Sequence, residues 1–164
     1  MFRFLDMRKS ADLALWCEFQ ISFYSLLRRS NAVPKSSQFN PTKVLSHRSL
    51  SVDLNTNMVD LYLGFSKTNQ FGAKDLVVPI PNNGDHRLDP VCHLHELFSH
   101  VQVPEEVPAF SFGANSFISY KTFTTRLKTL LTKAGYDASI YSGHFFRQGG
   151  ATFLHICGGT ALMV

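Results

Sequence analysis

Leu50-Ser51-Val52-Asp53-Leu54-Asn55-Thr56-Asn57-Met58-Val59-Asp60-Leu61-Tyr62-Leu63-Gly64-Phe65 changes the period of the chain to two. Leu50, Val52 and Leu54 alternate with polar partners, Asn55 to Asn57 offers a turn, and Val59, Leu61, Leu63 and Phe65 then line one face of a second strand. Leu76, Val78 and Ile80 repeat the alternation and supply a third strand. A small antiparallel sheet follows, whose second connection is Ser66 to Lys74 with Gly72 near its tip. Pro79 to Pro90, holding Asn82, Asn83 and Gly84, reads as loop.

On either side of this sheet the period lengthens. Ala11 to Leu27 is rich in helix formers and apolar nearly all round, the pattern of a central helix buried on most sides. It runs into Arg28, Arg29, Ser30 and Asn31, and Pro34 opposes its continuation. Downstream, Asp89-Pro90 starts a short helix from Val91 to about Val101, which Pro104 and Pro108 end. A longer helix is expected from about Ser119 to Ala134, with Phe123, Leu127, Leu130, Leu131 and Ala134 on one stripe and Gly135 as its stop. The last helix begins near Ser142, its N-cap, and runs through Phe153. Residues 1–10 read as a flexible lead-in. The whole is expected to be one α+β domain over residues 1–164, mostly helical, because 164 residues close a single core but not two.

Hydrophobic residues at 45% and charged residues at 17% exclude a disordered tail. Cys17, Cys92 and Cys157 are odd in number, far apart and without C-x-x-C spacing, which argues against a disulfide framework or zinc ribbon and for a reducing, intracellular setting. Phe19 to Leu27 is too short to span a bilayer, and Met1 to Lys9 mixes charged with apolar residues, unlike a signal peptide. The formal net charge is +4, and residues 1–52 alone carry eight Lys/Arg against three Asp/Glu. A basic front portion suits a polyanion such as DNA, as it also suits many ordinary basic domains.

Three places offer chemistry. In Ser142-Gly143-His144-Phe145-Phe146-Arg147-Gln148-Gly149-Gly150, His144 and Arg147 are three apart and project from one helix face, near an N-terminus whose free N–H groups favour an anion. An imidazole that exchanges a proton near neutral pH beside a permanent cation suits phosphoryl transfer, though His-x-x-Arg also describes an ordinary solvated face. In Leu26-Leu27-Arg28-Arg29-Ser30-Asn31, arginines end an apolar helix, where they either meet a ligand anion or cap the helix as cations. In Phe65-Ser66-Lys67-Thr68-Asn69, Lys67 continues the parity of the buried strand face, where an amine donates a proton or binds phosphate; its bland role is to discourage edge pairing. Cys92, His93, His95 and His100 crowd the short helix, but His93 and His95 point to different faces, so no metal site is expected. Lys121, Thr125, Lys128 and Thr132 form one polar, partly basic stripe opposite Leu127, suited to a DNA backbone or to plain solvent.

Taken jointly, "LLRRSNAVPKS", "FSKTNQFG" with "LVVPIP", "LDPVCHL" and "YSGHFFRQGGATFL" resemble the tyrosine recombinase (phage integrase) superfamily, and more narrowly the recombinases of DIRS-type and Crypton-type transposable elements. The resemblance runs from about Leu13 to Gly159. It implies the helical catalytic core with a small three-stranded sheet of DNA breaking-rejoining enzymes, acting in DNA recombination and DNA integration. It makes Arg28 the first phosphate-clamping arginine, Lys67 the general acid toward the 5′ leaving oxygen, His144 the proton-transfer histidine and Arg147 the second clamp. Arg29, Lys121 and Lys128 are then expected to contact DNA. The family's chemistry links DNA to a tyrosine and uses no cofactor and no metal. The implied partners are double-stranded DNA and other recombinase protomers, not a membrane, and the implied location is nuclear or intracellular.

The chain departs from that pattern in one decisive respect. No tyrosine follows Arg147, and Tyr24, Tyr62, Tyr120, Tyr136 and Tyr141 all precede it. The nucleophile is therefore expected to be missing, as in a catalytic domain truncated before it, and the family's amino-terminal DNA-clamping domain is expected to be missing too. Phe145 and Gln148 stand where smaller or basic residues are common in the family. The expectation is a DNA-binding integrase-like domain without independent activity. Its rivals are an enzyme whose tyrosine comes from a partner protomer or from further coding sequence, and a decayed or repurposed interaction module.

Overall fold

In a computed structural model, which describes residues 1–35, 39–64, 76–113 and 115–159, helix α1 (Ser10–Tyr24) is buried continuously from Leu13 to Ser22. A helix apolar on every side has no face to give to water, so the rest of the chain is wrapped around it. It ends three residues earlier than its apolar pattern predicts. The Ser25 hydroxyl and amide both donate to the Ile21 carbonyl, and Leu26 then takes a left-handed φ of 55°. That turn costs a Cβ-bearing residue free energy, and it ends the helix before Leu27. Arg28 therefore does not cap α1; it is the N-cap of a separate one-turn helix, α2 (Arg29–Ala32).

Strands β1 (Leu50–Asp53), β2 (Met58–Leu63) and β3 (Leu76–Pro81) pair antiparallel in that order, with Val52 opposite Val59 and Leu61 opposite Val78. Leu50, Val59, Leu61, Leu63 and Ile80 make the buried side. Leu54, expected in the first strand, instead lies exposed in the turn, because the Asp53 carboxylate accepts the Asn55 amide at 2.8 Å and closes the strand. The connection with Phe65, Lys67 and Gly72 lies outside the described residues.

Helix α3 (Pro90–His100) packs on α1 and on the sheet. Asp89 is its N-cap, accepting from the Val91 and Cys92 amides at 3.0 and 3.3 Å while Asn82 Nδ2 donates to its other oxygen at 2.7 Å. Asp89→Ala should cost about 1–2 kcal/mol by losing this cap. The check is urea denaturation, with Asp89→Asn keeping most of the loss away. His93 is buried, while Cys92 and His95 face outward.

Two short strands, β4 (Ser111–Gly113) and β5 (Ser116–Phe117), form a second sheet that the sequence pattern does not announce, being too brief to display a period. Helix α4 (Tyr120–Lys133) buries Phe123, Leu127, Leu130 and Leu131 as its stripe predicts, with Ser119 as N-cap and Gly135 at φ 84° beyond its end. Arg126 of α4 pairs with Asp12 of α1 at 2.5 Å. The first ten residues, expected as a flexible lead-in, lie against this framework: the Phe2 ring meets Trp16 edge-on at 5.3 Å, and the Asp6 amide donates to Asp12 at 2.9 Å. Helix α5 (His144–Ile156) completes a mostly helical α+β fold. Among the described residues, no helix is long and apolar enough to cross a membrane.

Candidate functional site

Helix α5 approaches α1 through glycine. A Cβ on Gly150 would drive into the Phe23 carbonyl oxygen and reach Leu26 Cδ2 at 2.6 Å, so only glycine lets the two backbones come this close. Two helical turns earlier, a Cβ on Gly143 would sit 2.7 Å from Arg29 Cδ and 2.9 Å from Phe123 Cε1. Between these contacts Phe146 stacks on Phe19 at 4.8 Å and meets Phe123 at 5.7 Å. The segment from Leu26 to Arg29 thus lies along the first two turns of α5, from Gly143 to Gly150.

Arg28 and Arg147 occupy the middle of these two adjoining segments. Arg147 is four residues after Gly143 and three before Gly150, so it shares their side of the helix, and it is half-buried; Arg28 lies between Leu26 and Arg29 and is exposed. His144 is exposed at the first position of α5, where the Ser142 hydroxyl accepts its backbone N–H at 3.3 Å. Ser142 therefore serves the helix start as expected, although the helix begins two residues later than Ser142 and its formal N-cap is Gly143. Among the described residues, no group pairs with the side chains of Arg28, His144 or Arg147. His144 and Arg147, in the first turn of α5, are groups whose chemistry suits an oxyanion, as is the guanidinium of Arg28 on the adjoining segment. Lys67 lies outside the described residues; the strands on either side of it are paired up to Leu63 opposite Leu76.

Arg29, placed on DNA by the sequence reading, has its side chain turned inward. Its guanidinium donates to Thr124 Oγ1 at 3.0 Å and to the Tyr120 hydroxyl, and lies 3.6 Å from the centre of the Tyr120 ring. Burial lowers its pKa, and the nearby Glu18 opposes that. Glu18 is fully buried in α1; Ser22 Oγ donates to its Oε1 at 2.9 Å, and its Oε2 has no partner among the described residues. Burial raises its pKa to about 8, against smaller opposing effects of the Ser22 hydrogen bond and the Arg29 charge. The sequence reading did not single out Glu18; a carboxylate between Cys17 and Phe19, in the middle of an apolar run, is the signal that could have found it, whereas Gly143 and Gly150 had none beyond their positions. Lys121, Thr125, Lys128 and Thr132 are all exposed on α4. Tyr141, the tyrosine nearest His144 in sequence, is half-buried with its ring 5.2 Å from Phe145.

No protein-family model, no curated protein and no solved structure matches this chain.

Proposed function

We propose that these 164 residues form a DNA-binding domain of tyrosine-recombinase type, of transposable-element origin, that belongs to DNA strand breakage and rejoining but does not cleave alone. The observation that supports this reading best is the seating of Leu26–Arg29 along Gly143–Gly150, which draws the segments of Arg28 and Arg147 to one place. In this reading the two arginines neutralise the non-bridging oxygens of a backbone phosphate, a preorganised electrostatic role. His144 exchanges a proton at the same phosphate, and Lys67 protonates the 5′ leaving oxygen. Lys121 and Lys128 add sequence-independent backbone contacts. Cleavage needs a tyrosine after the His-x-x-Arg helix, and none follows Arg147 in these residues.

Titration with duplex DNA at several salt concentrations tests the reading. Arg28→Ala and Arg147→Ala should each weaken binding roughly tenfold or more, by loss of a charge-assisted hydrogen bond, and should flatten the salt dependence by about one counterion. Lys128→Ala should lose less. A nicked suicide substrate should give no covalent adduct with this chain alone, and one only when a tyrosine-bearing recombinase protomer is added. Unchanged affinity in both arginine variants would overturn the proposal. Weak, salt-insensitive binding would favour an interaction module instead, with exposed Phe145, Phe153 and Ile156 of α5 as its contact face.

A further inference from the structure

Asn83-Gly84 is the chain's one Asn-Gly step, and both residues are exposed in the loop between β3 and α3. Asparagine is thermolabile because the next residue's backbone nitrogen attacks its side-chain carbonyl carbon, and glycine, with no Cβ, leaves that nitrogen uncrowded. Gly84 takes a left-handed φ of 79°, and among the described residues a Cβ there would meet nothing within 4 Å. Packing does not shield its amide. What restrains the step is hydrogen bonding.

Each atom that the attack must move is held. Asn83 Nδ2 donates to the Leu88 carbonyl at 2.8 Å and to the hydroxyl of Tyr24, the last residue of α1, and that hydroxyl donates in turn to the Leu88 carbonyl at 3.2 Å. Asn83 Oδ1 accepts from the Asp85 amide at 3.0 Å, and the Gly84 amide donates to Asn82 Oδ1 at 2.6 Å. Asn82 is itself fixed, its Nδ2 donating to Asp89 Oδ2 at 2.7 Å. Ring closure turns the planar Asn83 amide into a tetrahedral centre and takes the proton from Gly84 N, so these bonds must loosen first.

We infer that Asn83 is a latent deamidation site, latched by the Tyr24 hydroxyl and the Leu88 carbonyl, and that its conversion unlatches the loop between β3 and α3 from α1. Gly84 N gives up its proton and bonds to Asn83 Cγ, the Cγ–Nδ2 bond breaks, and Nδ2 leaves as ammonia with that proton, which water relays. Water then opens the cyclic imide at either carbonyl, leaving aspartate or isoaspartate at this position. No oxidant or reductant takes part. Either product has lost both N–H donors, and a carboxylate oxygen repels the Leu88 carbonyl that Nδ2 attracted. The step is independent of the arginine pair and of the proposed DNA role.

Mass spectrometry of the tryptic peptide ending at Arg87 follows the exchange of ammonia for water, and fragment ions separate Asn83 from Asn82. In the native protein Asn83 should convert roughly tenfold or more slowly than in the same chain unfolded in urea, because the latch must open first. Tyr24→Phe keeps the ring and removes the hydroxyl. It should raise the native rate about fivefold, the effect of one lost hydrogen bond, and leave the rate in urea unchanged. Asn83→Asp, which stands for one product, should unfold at a lower urea concentration than the wild type. Equal native and unfolded rates, a Tyr24→Phe rate no faster than that of the wild type, or an Asn83→Asp protein as stable as the wild type would each overturn the inference.

Discussion

Gly150→Ala should destabilise the fold by about 2–3 kcal/mol, a net overpacking cost even after the helix-propensity gain of replacing glycine. The added methyl would meet the Phe23 carbonyl oxygen, which is backbone and cannot swing aside, as well as Leu26 Cδ2 at 2.6 Å. For a chain of this size that loss corresponds to a melting point lower by roughly 5–10 °C. Its neighbour is the control. A Cβ on Gly149 would approach only the edge of the Phe23 ring, at 3.3 Å, and a side chain can yield by a few tenths of an ångström. Gly149→Ala should therefore stay within about 0.5 kcal/mol of the wild type, the propensity gain offsetting the crowding. Thermal and urea denaturation of the two variants decide the matter. A Gly150→Ala protein as stable as the wild type would mean that α5 does not rest backbone to backbone on α1. Under the proposed DNA role the consequence reaches the arginines: pushing α5 outward separates Arg147 from the segment of Arg28, so that role predicts weaker DNA binding by residual folded Gly150→Ala than by Gly149→Ala.

Glu18 should make the protein lose stability as the solution turns alkaline. In the unfolded chain its carboxyl releases its proton near 4.5, and in the folded chain burial holds the proton to about 8. Between those values the native state binds a proton that the unfolded state does not, so stability falls as pH rises through this window and levels off above it. Each unit of separation corresponds to about 1.4 kcal/mol, which puts the total loss on the order of a few kcal/mol. His47 and His93 act in the opposite sense: burial lowers the pKa of each below 6.5, so their contribution to stability is lost as pH falls below that value. The stability maximum should accordingly lie near neutral or slightly acid pH. Glu18→Gln isolates the carboxyl. Glutamine keeps an oxygen to accept from Ser22 but cannot ionise, so the variant should match the wild type near pH 5 and exceed it at pH 9. Urea midpoints measured across that range give the test, and parallel profiles for the two proteins would refute a buried, protonated Glu18.

The elements that were legible in the amino-acid order are those whose burial is one-sided or total. The Phe123–Leu127–Leu130–Leu131 stripe of α4 and the alternation of Val59, Leu61 and Leu63 in β2 each declare their period, and both appear with the buried residues expected. Asp89-Pro90 likewise marks a helix start by chemistry confined to a few neighbours. Ends were less legible. The apolar run past Tyr24 continues to Leu27, yet the helix stops because Leu26 goes left-handed just after Ser25 makes the last helical hydrogen bond to Ile21, a local geometry that composition does not reveal. The strands β4 and β5 escaped for want of length.

For the proposed site, the sequence reading offers Arg28, His144 and Arg147 as candidates by their chemistry and places the last two on one helix face, because a helical spacing of three is a local rule. It was not enough to tell Arg28 from Arg29. Only the fold separates them, turning Arg29 onto Tyr120 and Thr124 of α4, some ninety residues away in the chain, and leaving Arg28 in solvent. The same holds for Gly143 and Gly150, whose importance lies in what a side chain there would strike. Periodicity and capping are written in neighbouring residues and can be read along the chain. Close approach of two backbones, and the choice of which cation is consumed inside the protein, depend on partners brought together by packing.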